Sequence, residues 1–98
     1  GMDTVHVKVE FSGLSHILTK VNDVEFDLAP NQTYADIVHM LAEKYPALVG
    51  NVIEESKNDF YPSNVFSRNG KTIVLPEQMH ECPQDGEVLI LLSLLAGG

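Results

Sequence analysis

One stretch of the chain has the residue spacing of an amphipathic helix long enough to cover a β-sheet. Thr33 followed three residues later by Asp36 has the layout of an N-cap with an acidic first turn, and Pro46 ends the helix. Apolar residues recur between these limits at the i, i+3, i+4, i+7 spacing: Tyr34, Ile37, Val38, Leu41, Ala42 and Tyr45. Because the rest of the chain offers no second helix of this length, the fold is limited to a sheet with one covered face.

Strand patterns precede this helix. Residues 5–11 alternate apolar and polar side chains, as expected for a strand with one buried face, and the alternation resumes over residues 24–28. Ser12-Gly13 interrupts the pattern, and residues 14–22 form the connection. We expect the two strands to form a hairpin.

Further strand patterns follow the helix. Residues 65–68 and 71–75 flank Asn69-Gly70, a pair suited to the positive φ angles of a type I′ hairpin turn. Residues 88–92 form a continuous apolar run, which is typical of a strand in the middle of a sheet. Between the helix and these strands, residues 48–55 suggest a shorter helical turn.

The element order predicts an α+β protein with a β-grasp layout. We expect a mixed sheet of four to five strands, covered by one main helix, in a single domain over residues 2–98. If the first and last strands lie side by side in the centre, they must run parallel. Residues 93–98 then leave the sheet as a tail with a reach of roughly 20 Å when extended.

Composition excludes several classes of function. The formal net charge of −8 disfavours nucleic acid and anionic membranes as partners, although it also serves solubility. With Cys82 alone no internal disulfide forms, and no stretch matches a signal peptide or a membrane span, so we expect a cytoplasmic protein. Gly1 before Met2 is typical of a residue left by a cleaved expression tag, so we expect the native chain to begin at Met2.

The sequence ends in Gly97-Gly98, directly after the last predicted strand and a short tail. Glycine lacks a Cβ, so a diglycine segment fits a channel too narrow for side chains and leaves its last carbonyl carbon open to attack. This arrangement suits activation of the terminal carboxylate. The alternative is an inert, frayed terminus.

Three stretches of the sequence carry a resemblance to a known family. They are residues 42–48 at the helix end, Asn69-Gly70 between two strands, and residues 85–88 leading without a gap to Gly97-Gly98. In these features the chain resembles the MoaD/ThiS family of ubiquitin-like sulfur carriers, and MoaD, the small subunit of molybdopterin synthase, more than ThiS. Only the diglycine is specific to such carriers.

The resemblance implies a carrier protein, or a non-catalytic small subunit of a synthase, with no cofactor or metal of its own. A ubiquitin-activator-like adenylyltransferase would use MgATP to adenylate the Gly98 carboxylate, and a sulfurtransferase would supply sulfur to form a thiocarboxylate. A large, MoaE-like synthase subunit would accept the tail, with Gly97, Ala96 and Leu95 docked in its active site, for molybdopterin synthesis. The residues before the diglycine depart from MoaD, which commonly has a proline pair there.

The resemblance also implies a partner surface. Positions of the family's apolar contact surface correspond to Ser12, Ile73 and Leu92, two of which are apolar here. We therefore predict that Ile73, Leu92 and Leu94 contact a partner, while burial of Ile73 and Leu92 in the core is the alternative.

Three other functions stay open at this point. The chain could be a protein modifier joined to lysines through Gly98, or a carrier for thiamine, cysteine or transfer RNA thiolation. It could also be a β-grasp interaction module with an inert tail. The four histidines show no metal-binding spacing, and the acidic residues around His80 and Cys82 disfavour an activated thiol.

Overall fold

The computed structural model describes residues 3–94, which form one mixed sheet covered by one long helix. The elements in chain order are β1 (Val5–Phe11), α1 (Leu14–Thr19), β2 (Asp23–Leu28), α2 (Tyr34–Lys44), β3 (Asn64–Arg68), β4 (Thr72–Ile73) and β5 (Glu87–Ser93). Single 3₁₀ turns occur at Pro46–Leu48 and Pro76–Gln78. None of the helices among residues 3–94 has the length and apolar character needed to cross a membrane.

The sheet has the strand order β2-β1-β5-β3-β4. β1 pairs antiparallel with β2 and parallel with β5, so the first and last strands are central neighbours, as the sequence predicts. β5 pairs antiparallel with β3 on its other side, which places its apolar run in the middle of the sheet. The predicted β-grasp layout is confirmed.

The helix α2 begins and ends where its sequence indicates. The Thr33 hydroxyl accepts a hydrogen bond from the Asp36 backbone N–H, and the Asp36 carboxylate accepts one from the Thr33 N–H at 2.8 Å. This reciprocal capping box satisfies two N–H groups that the first turn leaves without helical partners. Tyr45 follows the last helical residue, and Pro46 opens a 3₁₀ turn.

The core lies between α2 and one face of the sheet. One side of α2 is buried against the inward residues of the three central strands. Fully buried members include Val7 and Val9 of β1, Phe66 of β3, and Leu89 and Leu91 of β5. Removing this much apolar surface from water is the main stabilising term for a domain of this size.

Three segments of the chain differ from the predictions. Residues 14–22 include the six-residue helix α1, which has no side-chain cap and leaves Ile17 67% exposed. After the 3₁₀ turn at Pro46–Leu48, residues 49–55 contain turns and an isolated bridge between Val49 and Ile53 rather than a longer helix. β4 contains two residues instead of five. The Val74 N–H still donates to the Phe66 carbonyl at 2.9 Å, but the Leu75 N–H donates to Gln78 Oε1 and Pro76 opens a 3₁₀ turn.

The hairpin turn between β3 and β4 has the predicted conformation. Asn69 and Gly70 have φ angles of 51° and 69°, and the Lys71 N–H closes the turn on the Arg68 carbonyl at 2.9 Å. A type I′ turn requires positive φ at both central residues, which explains the Asn-Gly pair.

Candidate functional site

The end of β5 is held in place up to the last described residue. The Leu94 N–H donates to the Ser63 carbonyl at 2.6 Å, and the Ser93 hydroxyl donates to Asn64 Oδ1 at 2.8 Å. The first bond continues the β3–β5 ladder beyond its last strand pair, Asn64 with Ser93, and the second joins the side chains of that pair. Whatever follows Leu94 therefore starts from a fixed point at one end of the central strand.

The predicted reactive and tail-docking residues Leu95, Ala96, Gly97 and Gly98 lie outside the described residues. Their role stays a prediction from the sequence. The structure does describe the surface around the point where they attach.

The start of β5 is fixed by a buried polar cluster. Glu87 is 8% exposed, and its carboxylate accepts hydrogen bonds from the Tyr34 hydroxyl and from the Gln84 N–H. The Arg68 guanidinium lies 5.8 Å from the centre of the Tyr34 ring and donates to Gln78 Oε1 at 3.1 Å. Burial and the Glu87 carboxylate raise the pKa of the Tyr34 hydroxyl, which keeps it a donor. The cluster joins α2, β3 and β5.

The sheet face opposite α2 has an apolar half formed by β5, β3 and β4. Alternation along β5 places Leu89 and Leu91 in the core, so Ile90 and Leu92 lie on the open face. Val65 is the cross-strand partner of Leu92, and Ser67 lies between Ile90 and Ile73. We call Val65, Ile73, Ile90 and Leu92 the open-face patch.

Two of the predicted partner residues, Ile73 and Leu92, belong to this surface. Ile73 is 38% exposed and Leu94 is 51% exposed, while Leu92 is partly buried among its neighbours on the open face. Ile73 and Leu92 are therefore not core residues, and the alternative that buries them in the core is wrong. Their contact with a partner stays a prediction.

The other half of the open face is acidic. Alternation along β1 and β2 directs Glu10, Asp23, Glu25 and Asp27 to the face opposite α2, and we call these four residues the acidic strip. Glu10 and Asp23 are direct cross-strand partners, an arrangement that destabilises a sheet because like charges face each other. Lys8 offsets part of this repulsion, with its Nζ 3.6 Å from Glu10 Oε2.

His6 bridges two carboxylates of the acidic strip. Its Nδ1 lies 2.8 Å from Asp27 Oδ1, and its Nε2 lies 2.5 Å from Glu25 Oε1. The hydrogen bond with Asp27, followed by that with Glu25, raises the pKa of His6 above its ordinary 6.5. The two carboxylates therefore favour the protonated, positively charged form of His6, which offsets part of the negative charge of the acidic strip.

Val65, Ile90 and the acidic strip were not predicted from the sequence as parts of one surface. The available signal was the continuous apolar run of β5 combined with the single helix. One helix covers one face, so alternate residues of the run had to remain on the uncovered face.

Cys82 is exposed and lines a polar cavity together with residues that include Arg68 and Lys71. Across residues 3–94, no group of three histidine, cysteine, aspartate or glutamate side chains is arranged to hold a metal ion.

Comparison with models of known protein families gives no match, and a search of curated proteins gives none. Solved structures do match. Small archaeal modifier protein 1 (SAMP1) from Haloferax volcanii aligns with a TM-score of 0.78 at 20% identity, covering 95% of this chain and 99% of that chain.

Two further structures have different names but similar folds. Urm1 from Trypanosoma brucei gives a TM-score of 0.69 at 20% identity and covers 98% of both chains. A Pyrococcus furiosus protein named as subunit 1 of a molybdopterin converting factor gives 0.71 at 18% identity, covering 93% of this chain and 99% of that chain. At these identities the matches establish a shared β-grasp, ubiquitin-like fold.

Proposed function

We propose that this protein is a sulfur carrier. In this proposal the Gly98 carboxylate is adenylated, converted to a thiocarboxylate, and used as the sulfur donor in molybdopterin synthesis for a molybdenum or tungsten cofactor. The observation that carries the proposal is the diglycine that follows a central strand in a β-grasp fold.

The chemistry places the reaction on the main chain rather than on a side chain. A carboxylate resists nucleophiles because of its charge, so it first attacks the α-phosphorus of MgATP and releases pyrophosphate. The resulting acyl adenylate then loses AMP to a sulfur nucleophile. The terminal glycine has no side chain to obstruct either attack. The protein itself contributes no catalytic side chain and binds no cofactor.

The open face supports a specific kind of partner. An adenylyltransferase that grips this domain would need an apolar area against the open-face patch and basic side chains against the acidic strip. A sulfurtransferase and a large synthase subunit would meet the same domain in later steps. The repulsion between Glu10 and Asp23 across the two strands lowers stability, which supports a role of the acidic strip in binding.

The rigid attachment of β5 also supports the proposal. The buried Glu87 cluster fixes the start of the strand, and the Leu94 bond to Ser63 fixes its end. A partner that binds the open face therefore meets the end of β5, to which the tail is attached, at a defined position. Such preorganisation reduces the entropy lost on binding.

The test is intact mass spectrometry after incubation with ATP, sulfide and a ubiquitin-activator-like adenylyltransferase. The proposal predicts a product heavier by the difference between one sulfur and one oxygen atom. A chain that lacks Gly98 is the matched control and should remain unmodified. Equal sulfuration of that control would contradict the proposal.

The name of SAMP1 favours a second candidate, a protein modifier joined to lysines through Gly98. The same incubation, supplemented with cell extract, separates the two functions. A modifier gives isopeptide-linked conjugates that disappear when Gly98 is removed. A carrier for pterin synthesis, once converted to the thiocarboxylate, should instead transfer its sulfur to the pterin precursor in an assay that contains a large synthase subunit.

A further inference from the structure

A tight turn at the start of β3 lies beside the end of β5. The Asn64 N–H donates to the Tyr61 carbonyl at 3.2 Å, which closes a turn of four residues. Pro62 is the second residue of this turn, and Ser63 is the third, with a φ of 83°. A type II turn favours proline at its second residue and requires positive φ at its third, so the sequence and the backbone agree. We call residues 61–64 the anchor turn.

Ser63 holds a backbone conformation that is strained for a residue with a Cβ. Glycine is the usual third residue of a type II turn, because it reaches positive φ without a steric clash. Such strain persists only where the surrounding contacts enforce it. Here the Tyr61 carbonyl also accepts a hydrogen bond from Asn64 Nδ2 at 3.1 Å, and the Tyr61 N–H donates to the Val52 carbonyl at 2.9 Å. The ring of Pro62 fixes the φ angle that precedes Ser63.

The anchor turn is joined to the end of β5 through its strained residue and the residue that follows. The Ser63 carbonyl accepts the Leu94 N–H at 2.6 Å, and Asn64 Oδ1 accepts the Ser93 hydroxyl at 2.8 Å. Both ends of the Asn64 amide are therefore in use, since Nδ2 bonds within the turn and Oδ1 bonds to β5. The conformation of the anchor turn thus sets the position of Leu94.

We propose that Ser63 and Asn64 are positioning residues, which hold the start of the tail at Leu94 when the Gly98 carboxylate reacts. This inference rests on the proposed activation of Gly98. Binding through the open face brings the domain to the adenylyltransferase, and the tail must then be ordered in the active site. Each backbone residue that is already fixed reduces the entropy lost in that step. Loss of the anchor turn should therefore slow the reaction rather than weaken binding.

Two substitutions of Ser63 test the role of its backbone conformation. Ser63→Val places a β-branched residue at positive φ, where such residues are outliers, so the turn should open and release Leu94. Ser63→Gly adopts the same φ without strain and should keep the turn closed. Amide hydrogen exchange at Leu94 should become about tenfold faster in Ser63→Val and should stay at the natural rate in Ser63→Gly. Equal exchange at Leu94 in Ser63→Val and the natural chain would overturn the proposal.

The kinetic test measures pyrophosphate release with ATP and a ubiquitin-activator-like adenylyltransferase. Ser63→Val should lower kcat about fivefold and leave KM within about twofold, because the open face is unchanged while more of the backbone must be ordered. Ser63→Gly should restore kcat to within about twofold of the natural value. The matched control is Lys57→Val, which places the same residue at another positive φ, 66°, where the native side chain pairs with Glu43. It should leave kcat unchanged, and an equal loss in this control would overturn the proposal.

Asn64→Ala tests the anchor turn without a change at Ser63. It removes the side-chain bonds to the Tyr61 carbonyl and to the Ser93 hydroxyl, so kcat should fall while KM stays within about twofold. A rise in KM at unchanged kcat would place the anchor turn in the binding surface and contradict a positioning role.

The kinetic results separate this inference from the function on which it rests. If the natural chain releases no pyrophosphate, the proposed function is wrong, and this inference is wrong with it. If the natural chain releases pyrophosphate and Ser63→Val and Asn64→Ala match its kcat, only the positioning role is overturned.

Discussion

The two faces of the sheet contain similar apolar residues but differ in what covers them. On the covered face, Leu89 and Leu91 of β5 pack against α2 and are fully buried. On the open face, Ile90 and Leu92 of the same strand keep part of their surface in water. Neighbouring residues of one strand thus serve different purposes, since burial of the first pair stabilises the domain and exposure of the second leaves apolar area for a partner.

The open face also keeps an unfavourable charge arrangement that the covered face lacks. Glu10 and Asp23 face each other across β1 and β2, beside the apolar residues of β5. A surface selected only for solubility would not need adjacent apolar and acidic halves. We propose from this contrast that the open face is the binding side of the domain, and the following substitutions test the proposal.

The largest expected effect separates the two faces directly. Leu91→Ala removes a fully buried side chain from the core and should lower the free energy of unfolding by about 2–5 kcal/mol. Leu92→Ala, its neighbour on the open face, should cost about 1 kcal/mol or less because part of the side chain is already in water. Urea denaturation of both variants checks the difference. Equal losses would show that both faces are buried in solution.

The polar cluster at the start of β5 should give the next largest effect on stability. Tyr34→Phe removes the hydroxyl that donates to the buried Glu87 carboxylate, so we expect a loss of about 1–3 kcal/mol in urea denaturation. The double variant Tyr34→Phe with Glu87→Gln should recover part of this loss, because it removes the unpaired charge. If Tyr34→Phe alone were neutral, the cluster would not anchor β5.

A substitution in the open-face patch should affect binding more than folding. Ile73→Asp places a charge at an exposed residue and should change stability by about 0.5 kcal/mol or less. It should lower kcat/KM for pyrophosphate release by the adenylyltransferase about tenfold, which corresponds to about 1.4 kcal/mol. The matched control is Ile17→Asp, an exposed apolar residue on α1 that should leave kcat/KM unchanged. Equal losses in both variants would contradict a specific role for the patch.

The smallest expected effect concerns His6 and pH. Because Asp27 and Glu25 raise the pKa of folded His6, the folded protein binds the proton more tightly than the unfolded chain does. The stabilisation is fully present below the ordinary pKa of 6.5 and is lost as the pH rises through the higher folded pKa. His6→Gln should remove this small loss of stability with rising pH. The midpoint of urea denaturation, measured from below pH 6.5 upwards, checks this. A stability that rises with pH through this window would show the sign to be wrong.

Long periodic segments of the fold were predictable from the sequence. β1, α2 and β5 each have a period or an apolar run that matches their final environment, and the Asn69-Gly70 turn follows from backbone sterics alone. The helix α1 was not predictable, because it has six residues, lacks a side-chain cap and leaves Leu14 and Ile17 exposed. Nothing in its local pattern distinguishes it from a loop.

The candidate site was predictable only in part. Ile73 was expected at a partner surface, and its exposure depends on the register of β4 with Ser67. Val65 and Ile90 became members of the same patch through pairings between residues more than twenty positions apart. Such long-range neighbours follow from strand order, which local sequence patterns do not specify.

The most direct test of the account compares the chain with a version whose Gly98 carboxylate is blocked as an amide. The blocked chain keeps every residue of the open face and loses only the group proposed to react. Incubated with ATP and the adenylyltransferase, the natural chain should release pyrophosphate and form the acyl adenylate, whereas the amide should bind the enzyme and release none. Equal pyrophosphate release from both chains would contradict activation at Gly98.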